Sequence, residues 1–298
     1  MPHTDKHSNI HILTALATTA ICLVAAGCSS EPPGPRQGTP PWFMQAARDN
    51  FAMGDYTKTV EQLKEAARAE GEMGQEALLW RAALTAGLAR GYDELTSAFA
   101  EGVEANEART EEFQNSINDY RRRTRVNAIE FSESIGNVKN IIDASETVAL
   151  NFPIPSGNAT QSPVLESVSL GNTVDETTVA AMVDQTLIRG MFSVLSDLTG
   201  GAEASKLVAD AEAGGIQASA ADMSFGIARI MLDISVMFDR EGINEPRVRE
   251  FAFTKAVEWA EPHMENEELG EKLEDFEFDV ENERRDMAGK RRMKEPDK

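Results

Sequence analysis

The chain has 298 residues, with 50 Asp+Glu against 29 Lys+Arg, a formal net charge of −21, two cysteines and four histidines. So acidic a balance argues against a nucleic-acid-binding surface, which needs clustered Lys and Arg to displace counterions, and two cysteines in a chain this long exclude a disulfide scaffold. With 41% apolar residues and length for one or two domains, the chain can bury a core without metals or bridges.

At the N-terminus a short polar head containing Lys6 precedes an uncharged run from Ile10 to Ala26, which ends at Ala25-Ala26-Gly27-Cys28. The run is short for a membrane span and is diluted by Thr14, Thr18 and Thr19, and the small residues before the cysteine form a processing-site pattern. The segment resembles a bacterial lipoprotein signal with its lipobox. That resemblance implies removal of residues 1–27 and lipidation of Cys28 on its sulfur and amine. Several acyl chains on one residue suffice for stable anchoring. In the sorting rule of that family, Ser29 after the cysteine directs the chain to the outer membrane of a Gram-negative cell, facing the periplasm. Ordinary secretory cleavage and an uncleaved anchor helix are the alternatives.

Processing takes Cys22 and the histidines His3, His7 and His11, and lipid consumes Cys28, leaving a mature chain of 271 residues with no free thiol and only His263. Zinc sites built from His and Cys are then excluded. Serine-histidine hydrolysis has no Gly-x-Ser-x-Gly elbow, and neither phosphate-binding glycine motif is present. His263, beside Pro262, reads as a helix-end residue. No metal or cofactor is expected, and an enzyme would have to rest on carboxylates alone, none of which stands out from the acidic background.

Five of the twelve prolines lie between Pro32 and Pro41, so residues 28–41 read as a tether. No proline occurs from Trp42 to Phe152 or from Val164 to Glu245, which permits long helices. The expectation is an all-α domain over 42–262, made of blocks 42–150 and 173–262 joined by an irregular loop 151–172. A charged segment, 263–298, follows. Its stripe of Leu269, Leu273, Phe276 and Val280 fits either a last helix docked on the body or a disordered tail that folds on a partner; the expectation is a helix to about Met287 and disorder after it, where the basic run Lys290–Lys294 lies.

Within the first block, Trp42 to Arg68 reads as two helices around Met53-Gly54-Asp55-Tyr56, with Phe43, Ala47 and Phe51 before the turn and Leu63 and Ala66 after it. This pair resembles a tetratricopeptide repeat, and it implies a cryptic antiparallel helix array. Asn50 and Thr59 depart from the motif. A second copy would begin near Trp80 and turn at Gly91-Tyr92; alternatively, Gly87 and Gly91 share one face of a continuous helix against which a neighbour packs closely.

From Phe113 to Val148 apolar positions recur at helical spacing and predict one long helix. It carries Arg121, Arg122, Arg123 and Arg125. These arginines either meet acidic groups of neighbouring helices or form an anion-recognition patch. The second block opens with Thr173-Val-Asp-Glu176, a capping-box pattern, and continues through helices ended by Gly200-Gly201, Gly214-Gly215 and Gly242, with a last one from Pro246.

Helix-pair arrays present concave surfaces, and nothing in the sequence assembles an acid, a base and a nucleophile. The first expectation is a lipid-anchored binding or scaffold protein that assists a cell-envelope complex by protein contact. The second follows from architecture only: the chain is similar to the T-component lipoproteins of tripartite ATP-independent periplasmic (TRAP) transporters, which combine a lipobox with cryptic repeats, and this implies a small apolar ligand. Trp80, Tyr92 and Tyr120 are the candidate lining of a groove or pocket for either partner.

Overall fold

Gly87 and Gly91 lie opposite Gly190, and there two helix backbones touch. A methyl group on Gly190 would sit 2.3 Å from the Gly87 carbonyl oxygen, and one on Gly87 would sit 2.6 Å from the Met191 Cα. The computed structural model in which this contact is seen describes residues 34–155, 160–239, 243, 245–266 and 269–294. Residues 1–33, on which the expected signal segment, Cys28 and the start of the expected tether fall, lie outside the described residues.

The crossing joins α3 (Glu72–Ala105) to α6 (Glu176–Leu198), antiparallel. At 34 residues, α3 is about 51 Å long at 1.5 Å per residue, and much of its circumference is buried because other helices cover it on several sides. It is preceded by α1 (Pro40–Ala52) and α2 (Tyr56–Ala66). The turn between these two depends on Gly54, at φ +73°, and on Asp55, whose side chain caps α2 by accepting from the Lys58 amide at 3.1 Å. This is the pair of helices expected on either side of Met53-Gly54-Asp55-Tyr56. The second turn, at Gly91-Tyr92, does not occur: both residues lie inside α3, where the missing side chains admit α6.

α4 (Thr110–Ile142) runs antiparallel along α3. It stops six residues short of Val148, because Thr147–Leu150 is a strand, β1, paired antiparallel with β2 (Ile216–Ser219). Val148 and Leu150 alternate with exposed Thr147 and Ala149, and Ile216 and Ala218 are buried likewise, so the ribbon covers the core with one face. The crossover expected to be irregular contains α5 (Pro163–Ser169). The cap of α6 is Asp175 rather than Thr173, since its carboxylate accepts from the Thr178 amide at 3.0 Å and from the Thr178 hydroxyl at 2.5 Å.

The rest comprises α7 (Ala204–Glu212), α8 (Ala220–Met237), α9 (Pro246–Ala260) and α10 (Gly270–Lys294), so the last helix runs past Met287. Two positive-φ glycine pairs, Gly200-Gly201 and Gly214-Gly215, follow α6 and α7 as anticipated. α10 docks through buried Leu273, Phe276 and Val280, and through Arg249 of α9. The Arg249 guanidinium reaches both Glu283 oxygens, at 2.7 and 2.8 Å, and Asp286 at 2.6 Å, and it also holds Asp239. The protein is therefore all-α apart from one two-stranded ribbon among the described residues.

Candidate functional site

The α1–α2 turn, α3, α4 and α6 enclose a groove of about 900 Å³. Helical spacing builds its walls: Tyr92 and Phe99 are seven apart on α3, Phe113 and Tyr120 seven apart on α4, and Val179, Val183 and Leu187 are spaced by four on α6. Met53 to Thr57 close one end, and Val168, Asn172 and Val174 contribute beyond α5.

Four of the rings form a continuous ladder. Phe113 meets Phe99 edge-on at 4.9 Å between centroids, Phe99 meets Tyr120 edge-on at 5.5 Å, and Tyr120 stacks on Tyr92 at 6.0 Å. Arg123 ends it, donating from Nη1 to the Tyr92 hydroxyl at 3.3 Å and from Nε to Asp119 at 2.7 Å. At the turn, the Tyr56 hydroxyl donates to Asp184 Oδ1 at 3.1 Å, which ties α2 to α6.

Burial, assisted by Asp119, pushes the Tyr120 phenol up to about 12. Burial and then the Asp184 carboxylate hold the Tyr56 phenol above its ordinary value as well. Both hydroxyls stay protonated through the physiological range, and that of Tyr56 donates to Asp184.

Tyr56 and Asp184 also border a second cavity of about 520 Å³, lined by Arg48, Phe51, Pro153, Ile154 and Ile188 among others. A third of about 320 Å³ between α2 and α4 shares Tyr56, Tyr92 and Arg123 with the main groove. Tyr56 thus stands where all three meet.

The structure brings together Tyr92, Tyr120 and Arg123, which the sequence placed in two different candidate sites. It separates Trp80 from them. Trp80 is 1% exposed, packed edge-on against Phe51 at 5.5 Å and stacked on Phe152 at 6.1 Å, so it belongs to the core. Of the other arginines, Arg122 reaches Asp119 at 2.6 Å and borders the small cavity, and Arg125 reaches Glu245 at 2.5 Å. Arg121 is half-buried and has no ion pair among the described residues. Acidic neighbours thus take up three of the four charges.

Sequence reasoning passed over Phe99, Phe113, Tyr56 and Asp184 as groove residues. The two phenylalanines, each 3% exposed, are core residues that form the buried floor of the groove, so a core signal is all their positions carry. The tyrosine was read as a turn residue, and nothing marked an aspartate whose partner is 128 positions away. His263 lies in a 3₁₀ turn (Glu261–His263) at the end of α9, far in sequence from every groove element, and burial holds its imidazole below the ordinary value. Among the described residues no group of three or more His, Cys, Asp or Glu side chains is arranged to hold a metal ion, and no helix is long and apolar enough to cross a membrane.

Comparison with protein families, with curated proteins and with solved structures finds no match to this chain. The functional reading therefore rests on the groove and on the N-terminal sequence.

Proposed function

We propose that this protein is a lipid-anchored helical binding protein of the cell envelope that holds a segment of a partner protein in the groove between the α1–α2 hairpin, α3, α4 and α6. The observation that carries the reading is the groove itself. Its 900 Å³ lies at the upper end of the range for small-molecule sites and gives room for several side chains of a docked segment. Its ring ladder forms a buried floor, with Tyr92, Phe99 and Phe113 each 8% exposed or less, and the accessible apolar surface above it comes from half-buried Tyr120, Val179 and Val183 and exposed Met53, while the surrounding carboxylates supply hydrogen-bonding groups. The anchor rests on Ala25-Ala26-Gly27-Cys28 and the proline-rich tether, and Ser29 favours the periplasmic face of an outer membrane.

A second reading, a small apolar ligand held as in the T-component lipoproteins, draws on the apolar stripe of Val179, Val183 and Leu187 facing the ladder. Segment docking is preferred because Asp55, Glu112, Glu176 and Asp184 line the same groove, and burying carboxylates beside a wholly apolar ligand is costly. Native mass spectrometry of the purified protein separates the two: a mass equal to the processed, lipidated chain alone is expected, and a retained small molecule would favour the second reading. Membrane fractionation of Cys28→Ser tests the anchor, with loss of membrane association expected.

A further inference from the structure

We propose that the groove selects a segment in which apolar or aromatic side chains flank a lysine or arginine, with the cation seated beside Asp184. This rests on the reading of the groove as a docking site and adds the chemistry of its occupant.

The charge balance of the lining argues for it. Four carboxylates line the groove, those of Asp55, Glu112, Glu176 and Asp184, against one cation, Arg123. Arg123 is already committed to Asp119 at 2.7 Å. Asp55 holds Lys58 at 2.5 Å and Glu112 holds Arg109 at 3.0 Å, so neither is a naked charge. Glu176 and Asp184 have no cation paired with them among the described residues; Glu176 sits exposed in the first turn of α6, whereas Asp184 lies where the groove meets the second cavity and is held by the neutral Tyr56 hydroxyl. Arg48, which shares the second cavity with Asp184, is paired with Glu76 at 2.8 Å.

Position adds to charge. Asp184 borders both the 900 Å³ groove and the 520 Å³ cavity. A long cationic side chain entering from the groove can lay its methylene stem along Met53 and Val183 and bring its head to the carboxylate. A guanidinium or ammonium there adds a charge-assisted bond to the one the phenol already makes. An acidic segment would meet like charge on three elements, and an uncharged one would leave Asp184 without a counter-ion.

The test titrates the purified protein with three terminally blocked peptides by fluorescence anisotropy: three Leu-Trp-Lys repeats, the same peptide with Gln for Lys, and the same with Glu for Lys. The Lys peptide should bind about tenfold tighter than the Gln peptide at about 0.15 M salt, and the Glu peptide weakest. Asp184→Asn keeps an acceptor for Tyr56; it should weaken the Lys peptide about fivefold and leave the Gln peptide unchanged. Glu212→Gln, an exposed carboxylate on α7 outside the groove, should change neither. Equal affinity for the Lys and Gln peptides, with both weakened by Tyr120→Ala, overturns the charge selection and leaves groove docking standing. Binding that Tyr120→Ala does not weaken, or no binding of the Lys peptide, overturns groove docking and the selection with it. An equal loss in Asp184→Asn and Glu212→Gln overturns the assignment to Asp184, because attraction is then spread over the whole acidic surface.

Discussion

The Tyr56 hydroxyl and the Asp184 carboxylate meet at 3.1 Å across 128 residues, and this bond joins the α1–α2 hairpin to α6 at the mouth of the groove. Tyr56 is the first residue of α2, so the bond also fixes the turn at Gly54-Asp55 against α6. Removing the hydroxyl in Tyr56→Phe should cost about 1 kcal/mol of stability. Asp184→Ala, which removes the acceptor, should cost a similar amount, and the double variant should show a coupling energy in a urea-denaturation cycle. Strictly additive single effects would mean the bond contributes nothing.

Gly190→Ala should be among the most damaging single-methyl insertions in the protein. The added carbon would lie 2.3 Å from the Gly87 carbonyl oxygen and 2.8 Å from the Gly91 nitrogen, both backbone atoms of a 34-residue helix that cannot yield locally. Overpacking of this kind costs about 1–3 kcal/mol, and the rigid obstacle places this case at the upper end. Gly136→Ala on α4, where an added methyl meets nothing within 4 Å, is the matched control and should be neutral or slightly stabilising. Thermal unfolding of the pair checks both.

Arg249→Met should detach the C-terminal helix before it unfolds the rest. Both Arg249 and Glu283 have side chains 6% exposed, and Glu283 also accepts from the Ser235 hydroxyl at 2.6 Å, so losing the guanidinium strands a buried carboxylate. Breaking such a pair costs about 3–5 kcal/mol. Hydrogen exchange in Arg249→Met should show α10 opening while α3 and α4 stay protected. Restoring an apolar match with Arg249→Met plus Glu283→Leu should recover much of the loss.

Acid should weaken the fold in two stages. Burial holds the His263 imidazole below its usual 6.5, so its contribution is present above that value and is lost as pH falls through the interval beneath it. Burial alone would raise Glu130 and Asp119, but Lys64 and Arg81 on the first, and Arg122 and Arg123 on the second, outweigh it and hold both carboxyls below their ordinary values. Their contributions are present above about pH 4.5 and are lost as pH falls through the depressed values. His263→Gln should remove the first stage and leave the second, measured as melting temperature against pH.

Much of the helical plan is written locally. Gly54-Asp55 marks the hairpin, the apolar period marks α4, and Pro246 marks the start of α9. What escaped the sequence depends on partners far along the chain. β1 and β2 are four residues each and gain their pairing only from one another, across more than sixty positions, so the end of α4 reads as helix until the partner strand is known. Gly91 fits a turn and a close helix crossing equally well, and only α6 decides between them. Tyr92, Tyr120 and Arg123 were legible as unusual residue types. Trp80 misled because a large aromatic on a helix suits a pocket wall or a core equally; the returning crossover, through Phe152, covers it.

The central claim is that the groove holds a partner segment while the chain is anchored to a membrane. Its most direct test is a photoreactive benzoylphenylalanine introduced in living cells at Val183, inside the groove, and separately at Lys206, exposed on α7. The account predicts a discrete protein adduct in the membrane fraction for Val183, reduced by Tyr120→Ala, and none for Lys206. Equal labelling at the two positions, or no protein adduct at Val183, would contradict it.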